Sequence, residues 1–529
     1  MRFMRRVSRP PATRPGSKRF SGLRRLTFVA VAALLVAISF LGLGYYAAEE
    51  GFLGRVTLEL NNIGDLPLPT SADRILVLAP HPDDEVLGTG GLIQQALAVG
   101  ADVRVVFLTF GDNNILSFQS FLKRPVLTPT QIRAMGETRR LEALSALDVL
   151  GVAREQVTFL GYPDNGAMRL WRTHWSGAEP LWSRWLNSNQ VPYQEAFSPG
   201  AAYSSANVLA DLTQILAGFQ PTMIFTSHPD DANSDHQALW LFTQAALFDL
   251  GAPYDAIPVW CYLVHYGSWP QARNVQTGNY LLPPTALLRA DMAWTKFLLD
   301  DAQLATKTAA LSKHASQLSL RPAYLESFLR ANDLFARVDP VQLSAPLFEW
   351  QGIEFRPLFG SPKASLLKHL APGLLLDEFD LAAQDDDLQI SVATRRPLSP
   401  RQILVVWLFP HSAGTPFAET PKLEIILNSR GLSRVESLSP DMRDAIRFER
   451  ADGRMVLRVS RAALGDPDAL FVSASMHSNG IVLDRAGWRL VQLAPDPLRP
   501  IEPDPQPGVL HARWEQDADP TADEALPAP

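Results

Sequence analysis

The 529-residue chain has a single cysteine, Cys261, so it cannot form an internal disulfide and is not a disulfide-dependent scaffold. Its composition is 47% hydrophobic and 19% charged, which also excludes a disordered or collagen-like polymer. The sequence shows no internal repeat. Its length and apolar content are sufficient for more than one buried core.

Acidic residues are absent before Glu49, whereas the first 25 residues carry nine bases. From Glu49 onward, 39 bases stand against 55 acids, although the formal net charge of the whole chain is only −7. A body this acidic repels phosphate over any long contact surface. We therefore expect no nucleic-acid partner.

The 23 residues from Leu26 to Ala48 carry no charge. As a helix they would span about 34 Å, which is enough to cross a bilayer. A cleaved signal peptide usually has a shorter apolar stretch of about 7–15 residues, so we expect a retained anchor, with cleavage near Ala48 as the alternative. Because basic flanks stay in the cytoplasm, the sequence predicts a single-pass protein of the cytoplasmic (inner) membrane. Its N-terminus would lie in the cytoplasm and its body on the extracytoplasmic side.

Short apolar runs alternate with segments of helical spacing between residues 73 and 339. This alternation predicts an α/β domain with a mostly parallel sheet and helices on both faces. The predicted strands are Ile75–Ala79, Val103–Phe110, Val157–Gly161, Met223–Ser227 and Val259–Tyr266. The predicted helices are Val86–Val99, Thr130–Leu150 and Asn207–Phe219, followed by one or two amphipathic helices over 301–336.

The pattern changes after about residue 340 to short runs separated by Gly, Pro and Asp turns. Several strands at this spacing predict a β-sandwich-like domain over 340–494. The final segment, 495–529, is rich in Pro and Asp and predicts a disordered tail. The predicted strands are Leu388–Thr394, Ile403–Phe409, Lys422–Asn428, Met455–Ser460, Ala469–Ser475 and Trp488–Ala494.

Metal-binding residue types follow the first predicted strand directly, at His81, Asp83 and Asp84. In an open parallel sheet, this edge is where ligands bind. An imidazole and a carboxylate three residues apart can point at a common centre and suit a borderline divalent ion such as Zn²⁺. The ordinary alternative is that acids are favoured at the start of any helix.

A second group of such residues follows the strand predicted at Met223–Ser227, and it includes His228, Asp235 and His236. Two strand ends that carry these groups would meet at one edge of the sheet. A hydrolytic zinc site needs three protein ligands, an open position for water and a nearby base. The two groups together contain residues of all these kinds.

These residues resemble the zinc-dependent de-N-acetylases of the PIG-L/LmbE type, whose signature is a strand end of the form (A/P)-H-P-D-D-E with a later D-H pair. The resemblance covers roughly residues 73–337. It implies a Rossmann-like sheet that binds one Zn²⁺ ion, or another divalent ion, through His81, Asp84 and His236, with Asp83 as the general base. Weaker matching pieces are Arg139-Arg140-x-Glu142, Leu160–Asp164, Lys307 and His314–Gln317.

The sequence departs from this family at Asn233, where many members have a histidine three residues before the last metal-binding histidine. An asparagine amide can donate a hydrogen bond to an oxyanion but has no proton to deliver. We therefore expect the general acid to be protonated Asp83, His228 or His265. Asp235 would orient a neighbouring imidazole or, alternatively, cap a helix.

Other polar residues of the matching region have ordinary interpretations. We expect Arg140 and Glu142 to pair with each other on a helix surface, with a position of the arginine near a sugar site as the alternative. His174 and His314 have no partner at a spacing that indicates a metal.

The resemblance implies a hydrolase that removes an N-acetyl group from an N-acetylglucosamine-type sugar of a glycan or glycoconjugate and releases acetate. The Trp-rich segment 169–202 could supply faces for sugar stacking or be a packed insertion. Two alternatives stay open: a non-catalytic carbohydrate-binding or scaffold protein that retains the fold, and an amidase acting on a small thiol conjugate. The expected partners are an N-acetylated saccharide and, through the N-terminal helix, the membrane.

The expected organisation follows from these patterns. It comprises a basic cytoplasmic segment (1–25), a transmembrane anchor (26–48), a linker (49–72), a PIG-L/LmbE-like deacetylase domain (73–339), a β-rich, sandwich-like domain (340–494) and a disordered tail (495–529).

Overall fold

The computed structural model describes residues 63–288, 292–343 and 376–493, apart from 385, 395, 437–439, 452 and 480. Among these residues, we find no helix with the length and apolarity that a bilayer crossing requires. The predicted basic segment, the anchor and the tail lie outside the described residues, as does most of the linker.

Within the described ranges, eight strands precede the C-terminal region. In chain order they are β1 (Gly64–Asp65), β2 (Arg74–Ala79), β3 (Asp102–Phe107), β4 (Val157–Phe159), β5 (Met223–Ser227), β6 (Val259–Tyr262), β7 (Met292–Leu298) and β8 (Asn332–Val338). The described residues divide into a small unit of 63–67 with 294–296 and a large unit that contains the rest. In the small unit, β1 runs parallel to β7, with Gly64 opposite Thr295.

In the large unit, six strands lie in the order β8-β6-β5-β2-β3-β4. Every neighbouring pair is parallel except β6 with β8. The chain runs from β2 outward to β4 on one side and from β5 outward on the other. The boundary between β2 and β5 is therefore the switch point, beside which open α/β sheets bind their ligands.

Nine α-helices accompany these strands in the described residues. They are α1 (Asp84–Ala98), α2 (Ile115–Leu122), α3 (Pro129–Leu150), α4 (Ala167–Thr173), α5 (Ser205–Phe219), α6 (Ser234–Leu250), α7 (Asp301–Leu311), α8 (Ala315–Leu318) and α9 (Pro322–Leu325). Local sequence sets the ends of α3: Thr128 and Gln131 form a capping box at its start, and Gly151 ends it with φ 93°.

The prediction of a mostly parallel α/β sheet is confirmed, and β5 has the predicted bounds. Strands β3 and β6 end earlier than predicted, at Phe107 and Tyr262. The helix expected up to Ala336 is wrong from Asn332 onward, where β8 begins. Short buried apolar runs have the same composition in strands and helices, so periodicity alone does not separate them.

The C-terminal region is rich in β-sheet, as predicted. Its strands are β9 (Val341–Gln342), β10 (Leu376–Gln384), β11 (Asp387–Thr394), β12 (Gln402–His411), β13 (Leu423–Asn428), β14 (Gly431–Glu436), β15 (Ile446–Ala451), β16 (Arg454–Ser460), β17 (Ala469–Ser478) and β18 (Ile481–Gln492). One sheet has the strand order β10-β11-β16-β15 and the other β14-β13-β12-β17-β18-β9. Both sheets contribute to one apolar core, for example through Leu457 of the first and Val472 of the second. Four of these strands, β9, β10, β14 and β15, were not predicted.

Aromatic side chains join the two regions around Trp171 of α4. The Trp171 ring stacks on Phe417 at a centroid distance of 5.4 Å and meets Phe471 and Trp488 edge-on at 5.4 and 6.1 Å. Trp171 is fully buried, and Trp175 beside it is also buried. For these two tryptophans, the alternative of a packed insertion is the correct one.

Replacing Trp171 with alanine should therefore leave a large cavity at this junction. We expect Trp171→Ala to lower the free energy of unfolding by about 3–5 kcal/mol. Trp182→Ala is the matched control, because Trp182 is 51% exposed and should change the stability by no more than about 0.5 kcal/mol. Urea titrations followed by circular dichroism measure both. Equal losses in the two variants would contradict the packing described here.

Candidate active site

The loop between β2 and α1 holds Asp83 in a backbone conformation that non-glycine residues rarely adopt, with φ 131° and ψ −30°. Three contacts fix it there. Glu85 Oε2 accepts a hydrogen bond from the Asp83 backbone N–H at 2.8 Å. The Arg139 guanidinium donates to the Pro82 carbonyl at 2.5 Å and to Asp83 Oδ1 at 3.2 Å. The loop is therefore held from two sides.

His81, Asp84 and His236 converge at the carboxyl ends of β2 and β5. His81 Nδ1 and His236 Nε2 each lie 3.2 Å from the same oxygen, Asp84 Oδ2. The two imidazole centroids are 5.3 Å apart, and all three side chains are buried. One candidate ligand atom from each residue lies within 4.8 Å of the others.

This donor set fits a divalent cation. In the described part of the chain, buried His236 Nε2 makes no hydrogen bond, and an unsatisfied buried polar group costs about 1–3 kcal/mol. Ligation of a cation would satisfy that nitrogen. Two imidazole nitrogens and one carboxylate oxygen are the ligands that borderline ions such as Zn²⁺ accept. The histidine and aspartate cluster can therefore bind a metal ion.

Asp231 orients His236 from the other side. Its Oδ2 lies 3.2 Å from His236 Nδ1 and accepts hydrogen bonds from the backbone N–H groups of Val264 and His265 at 3.0 and 2.9 Å. Burial alone would raise the pKa of Asp231, but the two neighbouring imidazoles lower it below its usual range. A carboxylate on Nδ1 favours the tautomer whose Nε2 lone pair faces the cluster. Sequence reasoning did not assign this role to Asp231.

Asp235, predicted to orient an imidazole or cap a helix, lies beside His81. Its Oδ2 is 3.3 Å from His81 Nε2, and its carboxylate accepts hydrogen bonds from the backbone N–H groups of Asn165 and Ala167 at 2.5 and 3.1 Å. Asp164 Oδ1 lies 3.4 Å from the same His81 nitrogen. The cap of α6 is Asn233, whose side chain accepts from the Asp235 backbone N–H at 2.9 Å.

A cavity of about 260 Å³ opens onto this cluster, with Asp83, Asn233 and His265 in its lining. The His265 side chain is 30% exposed, and its Nδ1 lies 3.5 Å from Asp231 Oδ1. His228 is fully buried, is not among the described lining residues, and accepts a hydrogen bond at Nδ1 from the Asp230 backbone N–H at 3.0 Å. Of the two candidate histidines, the structure thus brings only His265 to the cavity.

Asp83 lines the cavity although its environment is largely closed to water. Burial raises the pKa of Asp83 to about 6, the Arg139 guanidinium opposes this rise, and the Asp84 carboxylate adds to it. A carboxylate with a pKa in this range can take and return a proton near neutral pH.

Residues that sequence reasoning did not connect to the site complete the arrangement. His314 Nε2 lies 3.0 Å from Glu85 Oε1 and so supports the residue that holds the Asp83 backbone. The expected pair of Arg140 with Glu142 is wrong. Arg140 contacts Glu137 at 2.8 Å, and the Glu142 carboxylate accepts hydrogen bonds from Ser316 at 2.8 and 2.6 Å. The resemblance motif contained Arg139, but nothing in the helix sequence separates this buried arginine from its surface neighbour.

Removing one donor of the cluster should abolish tight metal binding. For His236→Ala we expect the affinity for Zn²⁺ to fall by more than about 100-fold. This loss should exceed the one caused by removing a residue that only hydrogen-bonds to a metal ligand. His174→Ala is the control, because His174 Nδ1 contacts the Glu179 carbonyl on an exposed segment. Competition with a chromogenic chelator measures both affinities. Tight stoichiometric binding by His236→Ala would contradict the site.

Comparison with known proteins gives an independent view of this region. The family model "PIG-L: GlcNAc-PI de-N-acetylase" matches residues 76–247. The "1D-myo-inositol 2-acetamido-2-deoxy-alpha-D-glucopyranoside deacetylase" of Gordonia bronchialis is 26% identical over 291 residues, which are 51% of this chain and 96% of that protein. The protein of the same name from Mycobacterium sp. (strain JLS) is 28% identical over 274 residues, covering 49% and 79% of the two chains.

A solved structure adds a weaker likeness. The N,N'-diacetylchitobiose deacetylase from Pyrococcus horikoshii is 18% identical, with a TM-score of 0.32 over 54% of this chain and 91% of that one. A score this low supports no statement about function. The family match and the deacetylase relatives do confirm the predicted resemblance and the predicted enzyme class. Residues 76–247 are a PIG-L family domain, and the chain is a hydrolytic enzyme of the N-deacetylase type.

Proposed function

We propose that this enzyme is a zinc-dependent hydrolase that removes the acetyl group from an N-acetylglucosamine-type sugar of a glycan or glycoconjugate and releases acetate. One observation carries the proposal: His81, Asp84 and His236 converge at a cavity that is also lined by Asp83. The names of the relatives, which are deacetylases of a 2-acetamido sugar, support the substrate class.

Asp83 acts as the general base. A zinc ion held by the three donors would supply a water with a pKa near about 7 and stabilise negative charge on the acetamide oxygen. Asp83 takes the proton of the attacking water, because it lines the cavity and burial raises its pKa to about 6. Arg139 keeps the carboxylate in place through its 3.2 Å contact with Oδ1.

Two groups can protonate the departing amine. His265 lines the cavity, and Asp231 lies 3.5 Å from its Nδ1, so it is the histidine that we assign to this role. Return of the proton by Asp83 is the alternative. The Asn233 side-chain oxygen accepts from the Asp235 N–H, so its NH₂ group is the part that would donate to an oxyanion.

The lining suits a polyhydroxylated ligand. Five side-chain amides face the cavity, and amides both donate and accept hydrogen bonds. No tryptophan is among the described lining residues, so Tyr324 is the aromatic group that would contact a sugar ring. The five amides are those of Asn113, Asn114, Asn165, Asn233 and Gln317.

The location of the enzyme is also a proposal. The charge-free segment 26–48 and its basic flank support a single membrane anchor with the deacetylase domain on the extracytoplasmic side. There the substrate would be an envelope glycan or glycoconjugate.

The direct test incubates the enzyme with a panel of N-acetylated saccharides and measures released acetate and free amine. Asp83→Asn should lower kcat by about 10²–10⁴-fold, because the variant has no base to take the proton, while Zn²⁺ binding is kept. Asp148→Asn is the control, since Asp148 is exposed on α3. Full acetate release by Asp83→Asn, or by metal-free wild-type enzyme, would contradict the proposal.

The assignment of the general acid has a separate test. His265→Gln should lower kcat by about 10²-fold or more with little change in Zn²⁺ affinity, because proton delivery and not ligation is lost. His174→Gln should leave kcat unchanged. If His265→Gln retains the wild-type kcat, Asp83 performs both proton transfers and the role of His265 is wrong.

A further inference from the structure

An arginine of the C-terminal region reaches the loop between β5 and α6. Arg489 of β18 contacts both oxygens of Asp230: Nη1 lies 3.0 Å from Oδ1 and Nη2 lies 2.7 Å from Oδ2. The guanidinium is almost fully buried, at 1% exposure. A bidentate arginine–carboxylate pair fixes both position and orientation, which a lysine cannot reproduce.

Asp230 lies next to a residue that orients the metal cluster. Its neighbour Asp231 contacts Nδ1 of His236 at 3.2 Å and Nδ1 of His265 at 3.5 Å. A shift of the loop at Asp230 would therefore move the carboxylate that holds both imidazoles. Arg489 is thus connected to the metal cluster through Asp230 and Asp231.

A second connection reaches the same loop from the same strand. Arg485 Nη1 lies 3.4 Å from Gln237 Oε1, and Gln237 Nε2 donates to the Asp231 carbonyl at 2.5 Å. Gly487, between the two arginines, leaves the space that the Asp230 carboxylate occupies, because a Cβ at this position would overlap Asp230 Oδ1. Strand β18 is therefore shaped to receive the loop.

The C-terminal sheets do not contribute to the cavity directly. No residue of 376–493 is among the described lining residues. The rest of the junction holds the two regions together away from the loop, for example through Lys422, whose Nζ lies 4.5 Å from the Trp175 ring centroid and 4.2 Å from that of Phe417. Lys422 therefore offers a control for loss of docking alone.

We propose that the C-terminal sheet domain is part of the active-site structure and that Arg489 is a positioning residue for the loop carrying Asp231 and His236. This inference rests on the proposed function of the cluster. It assigns the domain a role within the catalytic unit. The domain keeps the His236 and His265 imidazoles in their places without touching the substrate.

The test compares variants of the full-length enzyme. We expect Arg489→Gln to lower the affinity for Zn²⁺ and kcat by about 10–100-fold each, as loss of residues that support metal ligands does, with little change in KM. Hydrogen exchange of the 228–236 amides should become faster. Arg489→Lys and Gly487→Ala should give the same changes to a smaller extent, and they keep the test decisive if Arg489→Gln does not fold.

Two further variants separate positioning from general stability. Lys422→Met should lower the melting temperature but leave exchange of the 228–236 amides, Zn²⁺ affinity and kcat unchanged. The double variant Asp230→Asn with Arg489→Gln should recover part of the loss, because no lone buried carboxylate remains.

Wild-type exchange and wild-type kinetics in folded Arg489→Gln and Gly487→Ala would overturn the inference. So would equal effects of Lys422→Met on the loop. The exchange readout needs neither substrate nor metal, so it also reports on the loop if the wild-type enzyme proves unable to release acetate. Failure of the wild-type enzyme to release acetate would contradict the proposed function but not the positioning role of Arg489.

Discussion

The pairing of β2 with β5 is the constraint on which the site depends. The two strands run parallel, with Ile75 opposite Met223 and Val77 opposite Phe225, so both chains leave the sheet at the same edge. Their residues are buried except for Arg74, and strands covered on both faces form only where apolar side chains fill each face. Because α1 begins five residues after β2 ends and α6 begins seven after β5 ends, the connecting loops are too short to carry the histidines away from this edge.

Short loops alone would not make such a cluster stable, since it concentrates negative charge out of water. Asp83, Asp84, Asp231 and Asp235 are all buried in the two loops or at the helix starts that follow them, and the permanently charged Arg139 contacts one of them, Asp83, at 3.2 Å. Burial of a carboxylate is costly unless hydrogen bonds or opposite charges compensate it. Backbone N–H groups compensate Asp231 and Asp235, as described above. Among the described residues, the Asp84 carboxylate contacts two imidazoles and accepts a hydrogen bond from the His81 backbone N–H. A divalent cation bound to this arrangement would compensate that charge.

The parts of the site that could be predicted from the sequence are those contained in two short segments, each of which follows a strand. His81, Asp83 and Asp84 follow a recognisable strand, and Asp235 and His236 follow another, so strand order alone brought them together. Arg139 and His314 come from distant segments, and both enter the site through contacts that depend on how α3 and the chain after α7 pack. Local spacing carries no information about such packing. The early ends of β3 and β6 have a related cause, because the apolar residues beyond them are buried in loops at the same edge of the sheet.

The contact between the two regions could not be predicted from the sequence, for a different physical reason. Helix α6 is buried on nearly all sides, including Trp240 and Phe242, and a helix that is apolar all round requires cover on every face. Strand β17 supplies part of this cover through Phe471, whose ring centroid lies 6.3 Å from that of Trp240. The predicted boundary near residue 340 marks a change in the type of secondary structure. The apolar faces of the regions before and after it nevertheless pack against and bury each other. Packing of the C-terminal strands against α6 also places β18 beside the loop that precedes this helix. The contact of Arg489 with Asp230 is therefore a consequence of the packing that covers α6.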